Sequence, residues 1–162
     1  MAGTALAVLA IFVVASLSFR ASYLVLTNDR TGVVLLRYRA EQGDKFSISY
    51  IHSVNKSPVT EIYQIRDGKI VLTALEFETF GAGMPTELEP GQSLIRLPEG
   101  GIRIEGFDRI IVDLRYNIGH GADIVFSFEE RQTALGSLDA AGQPVRISFE
   151  EISVWQRFGL AR

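Results

Sequence analysis

The sequence predicts an all-β domain, an antiparallel sandwich or partly closed barrel of about eight strands, preceded by one N-terminal hydrophobic helix. Three observations lead there. From Val33 onward, apolar residues recur with period two in short runs. Clusters of Gly, Pro, Asn and Asp separate those runs. No segment beyond Arg20 reads as a soluble amphipathic helix.

The first element is the apolar amino terminus. Ala2 to Phe19 carries no charged residue and is rich in Ala, Val, Leu, Ile and Phe. A helix of roughly 20 such residues spans a bilayer, so this stretch lies at the short end. Ser16-Leu17-Ser18 offers the small residues that a signal peptidase reads. The apolar stretch runs almost to Arg20, which favours an uncleaved anchor over a cleaved signal. No Lys or Arg precedes it, while Arg20 and Arg30 follow, so charge gives no support to export. The chain divides into residues 1–20, a transmembrane anchor or signal segment, and residues 21–162, a single β-rich domain.

Expected strands are Val33–Arg39, Lys45–His52, Val59–Arg66, Lys69–Phe80, Ser93–Leu97, Gly101–Glu105, Arg109–Tyr116, Ile124–Glu129 and Val145–Ile152. Asp67-Gly68 marks a two-residue hairpin, because glycine tolerates the positive φ of a tight turn. Asn28–Gly32, Pro98–Gly101 and Ala141–Pro144 read as further turns.

That hairpin fixes a register. Arg66 pairs Lys69, which sets Tyr63 opposite Leu72, Glu61 opposite Ala74 and Val59 opposite Glu76. Aligning the preceding strand by its apolar residues sets Phe46 beside Ile65, Tyr50 beside Glu61 and His52 beside Val59. One sheet face then has an apolar half, comprising Phe46, Ile48, Tyr63, Ile65, Ile70 and Leu72. Its other half is polar: Tyr50, His52, Glu61 and Glu76 beside the small Ala74. In this register Glu61 orients His52, which binds a carboxylate or moves a proton. The plain alternative is a satisfied ion pair at the sheet edge.

Composition narrows the chemistry. Sixteen Lys and Arg against nineteen Asp and Glu give a formal charge of -3. With no basic block, nucleic acid is not an expected partner. The absence of cysteine excludes disulfides, thiolate catalysis and Cys-based zinc sites. Ser53 faces away from His52 along a strand, and no Gly-x-Ser-x-Gly elbow exists, so a serine nucleophile is not expected. His52, His120, Glu61 and Glu76 lack the spacing of a metal motif. No cofactor is expected. Gly81, Gly83, Met84 and Pro85 form a loop whose backbone can approach a partner or ligand closely, or else a tight turn out of a strand. Asn117–Asp123, which contains His120, either closes over the first site or simply connects two strands. Trp155, Phe158 and Leu160 serve packing or form an exposed patch.

The order Tyr50-Ile51-His52-Ser53-Val54, then Pro58-Val59-Thr60-Glu61, the Asp67-Gly68 hairpin, and Phe80-Gly81-Ala82-Gly83-Met84-Pro85 resembles one bacterial family, the domain of unknown function 1850. The family pattern marks His52, Ser53, Val54, Val59, Glu61, Gly81, Gly83 and Pro85; Met84 stands where leucine is commoner. His120 matches loosely. The resemblance implies an accessory protein of TAXI-type TRAP transporters, which import small organic solutes, often carboxylates, through a permease and an extracytoplasmic solute-binding protein. It implies no enzymatic activity. The expected function is a membrane-anchored accessory subunit that contacts the permease or the solute-binding protein. Its N-terminal span would lie in the inner membrane and its β domain in the periplasm or outside. The alternative is an extracytoplasmic module binding a small carboxylate through Tyr50, His52, Glu61 and Glu76. An acid–base enzyme using His52 and Glu61 ranks last.

Overall fold

A computed structural model describes residues 20–81, 83–85, 87–119, 123–138 and 142–153. The apolar stretch before Arg20, His120, Trp155, Phe158 and Leu160 lie outside the described residues. Among the described residues no helix is long and apolar enough to cross a membrane.

The described chain is all-β, with two antiparallel sheets packed as an open sandwich. The strands are β1 (Arg20–Asn28), β2 (Val34–Arg39), β3 (Lys45–Ile51), β4 (Pro58–Arg66), β5 (Lys69–Phe77), β6 (Ser93–Arg96), β7 (Ile102–Ile111), β8 (Leu114–Asn117), β9 (Val125–Phe128), β10 (Arg131–Ala134) and β11 (Pro144–Ser153). A 3-10 turn, Leu135–Ser137, follows β10. The small sheet runs β2-β1-β11-β8 and the large one β10-β9-β3-β4-β5-β7-β6.

The expected turns form for the expected reasons. Asp67 and Gly68 take φ of 49° and 71°, the left-handed pair of a tight hairpin. Asn28 is buried and accepts the Arg30 and Thr31 amides on Oδ1, at 3.1 and 3.2 Å, which closes the turn into β2. Two strands escaped the alternation test. Leu24, Val25 and Leu26 of β1 are all buried, so that strand is apolar on both faces and shows no period of two. β10 is short, has no large apolar residue, and forms by pairing with β9. The expected run Arg109–Tyr116 is split, because β7 ends at Ile111 and β8 crosses to the other sheet.

The main core lies between the sheets. Phe46, Ile48, Tyr63, Ile65 and Ile70 from the large sheet meet Leu24, Leu26, Val145 and Ile147 from the small one. Phe46 stacks on Tyr63 with centroids 5.1 Å apart. The expected apolar half-face is therefore real. A second cluster of Val59, Leu75, Phe77, Ile102, Ile104 and Phe107 contains no residue of the small sheet; Met84 joins it from the loop after β5. That loop covers the part of the large sheet that the small one does not reach.

Two details of the register differ from expectation. β3 pairs β4 with Tyr50 opposite Val59 and Ile48 opposite Glu61, two residues from the sequence-based alignment. A two-residue shift keeps every side chain on its face but changes its neighbours. In β5 the register shifts between Leu72 and Ala74, leaving Thr73 as an extra residue. This bulge places Leu75 opposite Glu61 and Phe77 opposite Val59. Glu76 pairs Thr60 and so turns to the opposite face. Burial drives the choice, since a bulge-free β5 would put Glu76 into the core and expose Leu75 and Phe77.

Candidate functional site

Two assemblies stand at the same end of the large sheet. The first is built on Glu61. Its side chain points inward from β4, where Tyr63 neighbours it two residues along the strand and Tyr50 lies diagonally on β3. Tyr116 reaches it from β8 of the small sheet. Tyr50 donates its hydroxyl to Glu61 Oε1 at 3.2 Å, and Tyr63 donates to Oε2 at 2.7 Å. Tyr116 also donates to Oε2, and its hydroxyl lies 2.9 Å from that of Tyr63. One carboxylate thus gathers three phenols.

Their environment holds these phenols in the neutral form. Burial first, and then the charge of Glu61, pushes the Tyr50 and Tyr63 hydroxyls well above the usual tyrosine range. Burial, followed by Tyr63 and Glu61, does the same to Tyr116. The cluster is a donor-saturated polar node within an apolar sandwich. Beside it, Tyr50, Ile51, Arg115, Tyr116, Asn117, Asp123 and Ile124 line an open cleft of about 560 Å³.

The second assembly is the pair of loops at 52–57 and 81–85. β3 ends at Ile51, so His52 is a loop residue. Its amide donates to Ser57 O and its carbonyl accepts from Lys56, each at 2.9 Å. Its Nδ1 accepts the Val54 and Asn55 amides at 3.3 and 3.2 Å. The imidazole therefore closes its own turn, as an Asx side chain does, with Nδ1 as the unprotonated nitrogen. Gly83, at φ 82°, lies beside its other nitrogen: a Cβ there would fall 3.6 Å from His52 Nε2. A Cβ on Gly81 would fall 2.6 Å from Asn55 Oδ1. Only glycine lets the backbone pass so close to Asn55. Ile51 and Val54 are more than half exposed around this contact and Phe80 nearly half, while Met84 turns inward and anchors the second loop in the core.

The profile of DUF1850, a domain of unknown function, matches residues 46–135, more than half of the 162-residue chain. The chain belongs to this family. The DUF1850 span takes in both loops, Glu61 and its three tyrosines, but excludes β1, β2 and β11, three of the small sheet's four strands. No curated protein and no solved structure matches this DUF1850 chain.

The sequence-predicted residues thus separate. Tyr50 and Glu61 meet. His52, Gly81, Gly83, Met84 and Pro85 belong to the loop pair, with Ser53 exposed on its rim. Glu61 does not orient His52: it sits opposite Ile48, four residues and about 13 Å of strand away. Glu76 does not join the polar cluster. It pairs with Arg103 at 3.3 Å on the other face, where Arg103 also meets Glu105 at 2.8 Å. Sequence reasoning missed the polar roles of Tyr63 and Tyr116. Tyr63 was within reach, since i and i+2 share a face. Tyr116 lies in another sheet and carried no local signal.

Proposed function

We propose that this chain is a membrane-anchored accessory subunit of a TAXI-type TRAP solute transporter, acting by contact with the permease or the solute-binding protein. The apolar residues before Arg20 serve as the anchor, and the β domain stands on the outer side of the inner membrane. The family resemblance supplies the transporter context. The observation that carries the contact surface is the interlocked loop pair. Asn55 rests on Gly81 and His52 beside Gly83, so two loops from different hairpins form one contiguous platform. Val54 is 66% exposed and Phe80 48%, on a platform whose backbone is fixed by internal hydrogen bonds. Exposed apolar side chains on a pre-organised support suit a protein partner, because little ordering entropy is lost on docking.

Affinity purification of the full-length chain from native membranes in mild detergent tests this. The expected companion is a TRAP permease or solute-binding protein. A Val54→Asp, Phe80→Asp double variant should fold normally and lose it. Recovery of the same companion with that folded variant would remove the loop platform from the contact.

A further inference from the structure

We propose that the cleft between Tyr50 and Tyr116 binds a small organic cation, an alkylammonium or quaternary ammonium group. The two rings line the cleft with centroids 6.3 Å apart and planes tilted by 53°, forming two walls of an aromatic corner. Both hydroxyls are donated to Glu61. Donation to a carboxylate raises the electron density of a phenol ring, which strengthens the attraction of its face for a cation. Ile51 and Ile124 add apolar wall, and about 560 Å³ accommodates a small solute.

The charges around the cleft point the same way. Arg115 is the cation of the lining, and it is already committed. Its Nη1 lies 2.9 Å from Asp29 Oδ2 and its Nε 2.6 Å from Asp113 Oδ1. Asp123, also in the lining, is exposed and has no ion pair among the described residues. Glu61 stands behind the two rings. A carboxylate ligand entering here would meet the Asp123 carboxylate, with the Glu61 charge behind the rings, and no uncommitted cation among the described lining residues. An ammonium would meet two ring faces and the carboxylate of Asp123. The cleft thus selects against the carboxylate class expected of this site from sequence, and does so whatever the loop platform contacts.

Calorimetric titration of the full-length chain in a maltoside detergent decides the matter, with choline, butylamine and succinate as separate probes. Saturable binding of choline or butylamine is expected, with succinate silent. Tyr116→Leu should weaken cation binding by about tenfold, and Tyr116→Phe, which keeps the ring, by about threefold or less. Asp123→Asn, an exposed change that leaves the core alone, should weaken it by about threefold. It decides the case if Tyr116→Leu does not fold. Succinate binding without either cation would overturn the proposal. So would flat cation titrations of folded protein, or cation binding that Asp123→Asn and the folded Tyr116 variants leave unchanged.

Discussion

Tyr116 on β8 donates its hydroxyl to Oε2 of Glu61 on β4, a polar tie between the two sheets of the sandwich. Most other contacts between the sheets are apolar and non-directional, whereas this one fixes how β8 sits over β4. Tyr116→Phe removes one donor from a charged acceptor and should cost about 1–3 kcal/mol. Glu61→Leu removes the acceptor of three hydroxyls and should cost more, because partly buried phenols lose their shared partner. The two changes act on one network. The double variant should therefore be more stable than the sum of the single losses predicts, by about 0.5–3 kcal/mol. Urea unfolding midpoints of the four proteins, at constant m-value, measure the coupling. Strict additivity would mean that the tie contributes nothing.

The same node makes the fold sensitive to alkali. Three of the chain's five tyrosines are held above their ordinary range, chiefly by burial and by Glu61 or one another. For a tyrosine, a raised folded-state value means that the unfolded chain releases the proton first. Stability is then fully present below about pH 10 and falls as pH rises beyond it. On alkaline titration a stage of tyrosinate absorbance should coincide with loss of the far-ultraviolet β signal, as Tyr50, Tyr63 and Tyr116 ionise only on unfolding. In Glu61→Gln this stage should begin at lower pH, provided that the variant folds, because the repelling charge is gone. Ionisation of all five tyrosines in a folded protein would contradict the node.

How far these features were legible depends on the range of the interaction that sets them. The Asp67-Gly68 hairpin and the alternating run from Lys45 to Ile51 are local, and they placed Phe46, Ile48, Tyr63 and Ile65 on the core face. The loop partnership of His52 with Gly83 joins segments 31 residues apart, yet both segments stood out as places where polar and glycine residues interrupt strand composition. Tyr116 is different. Its approach to Glu61 depends on β8 leaving the large sheet, and nothing in Leu114–Asn117 announces that crossing. Glu76 was misplaced because period two was carried through Ala74-Leu75, where two apolar residues in succession signal a bulge. The twofold slip of β3 on β4 has a similar origin. Pattern fixes parity, but the length of the loop between Ile51 and Pro58 fixes the offset.

Glycines in this chain serve two distinct purposes, and substitution separates them. Gly68 sits at φ 71° with nothing within 4 Å of a built Cβ, so Gly68→Ala meets only backbone strain. It should cost about 1–2 kcal/mol. Gly106, at φ 88° in β7, has the carbonyl oxygen of Gly91 inside van der Waals range of a built Cβ, and Gln92 Cα at 3.0 Å. Both neighbours are backbone and cannot rotate away. Gly106→Ala should therefore add a displaced 91–92 segment to the strain, for a total of about 3–4 kcal/mol. Thermal unfolding of the two variants side by side checks the order. Equal losses would show that the close approach of the two segments is not maintained.

Thr73 is the extra residue of β5, and its deletion tests the bulge directly. Its Oγ1 donates to Ile62 O at 3.1 Å, which ties down the residue that interrupts the register. Removing it takes out the one residue of β5 that has no partner on β4, so regular pairing then sets Ala74 opposite Ile62, Leu75 opposite Glu61 and Phe77 opposite Val59, as they stand now. Leu75 and Phe77 stay in the cluster they share with Val59, Ile102 and Ile104, and Glu76 stays with Arg103. The deletion variant should therefore keep a cooperative thermal transition, with a loss of about 1–3 kcal/mol for the hydrogen bond and the changed local twist. Thr73→Ala, which keeps the extra residue and loses one hydrogen bond, should stay folded with a loss of about 1 kcal/mol. A deletion variant without a cooperative transition would show that the faces of β5 depend on the bulge itself and not on its pairing with β4.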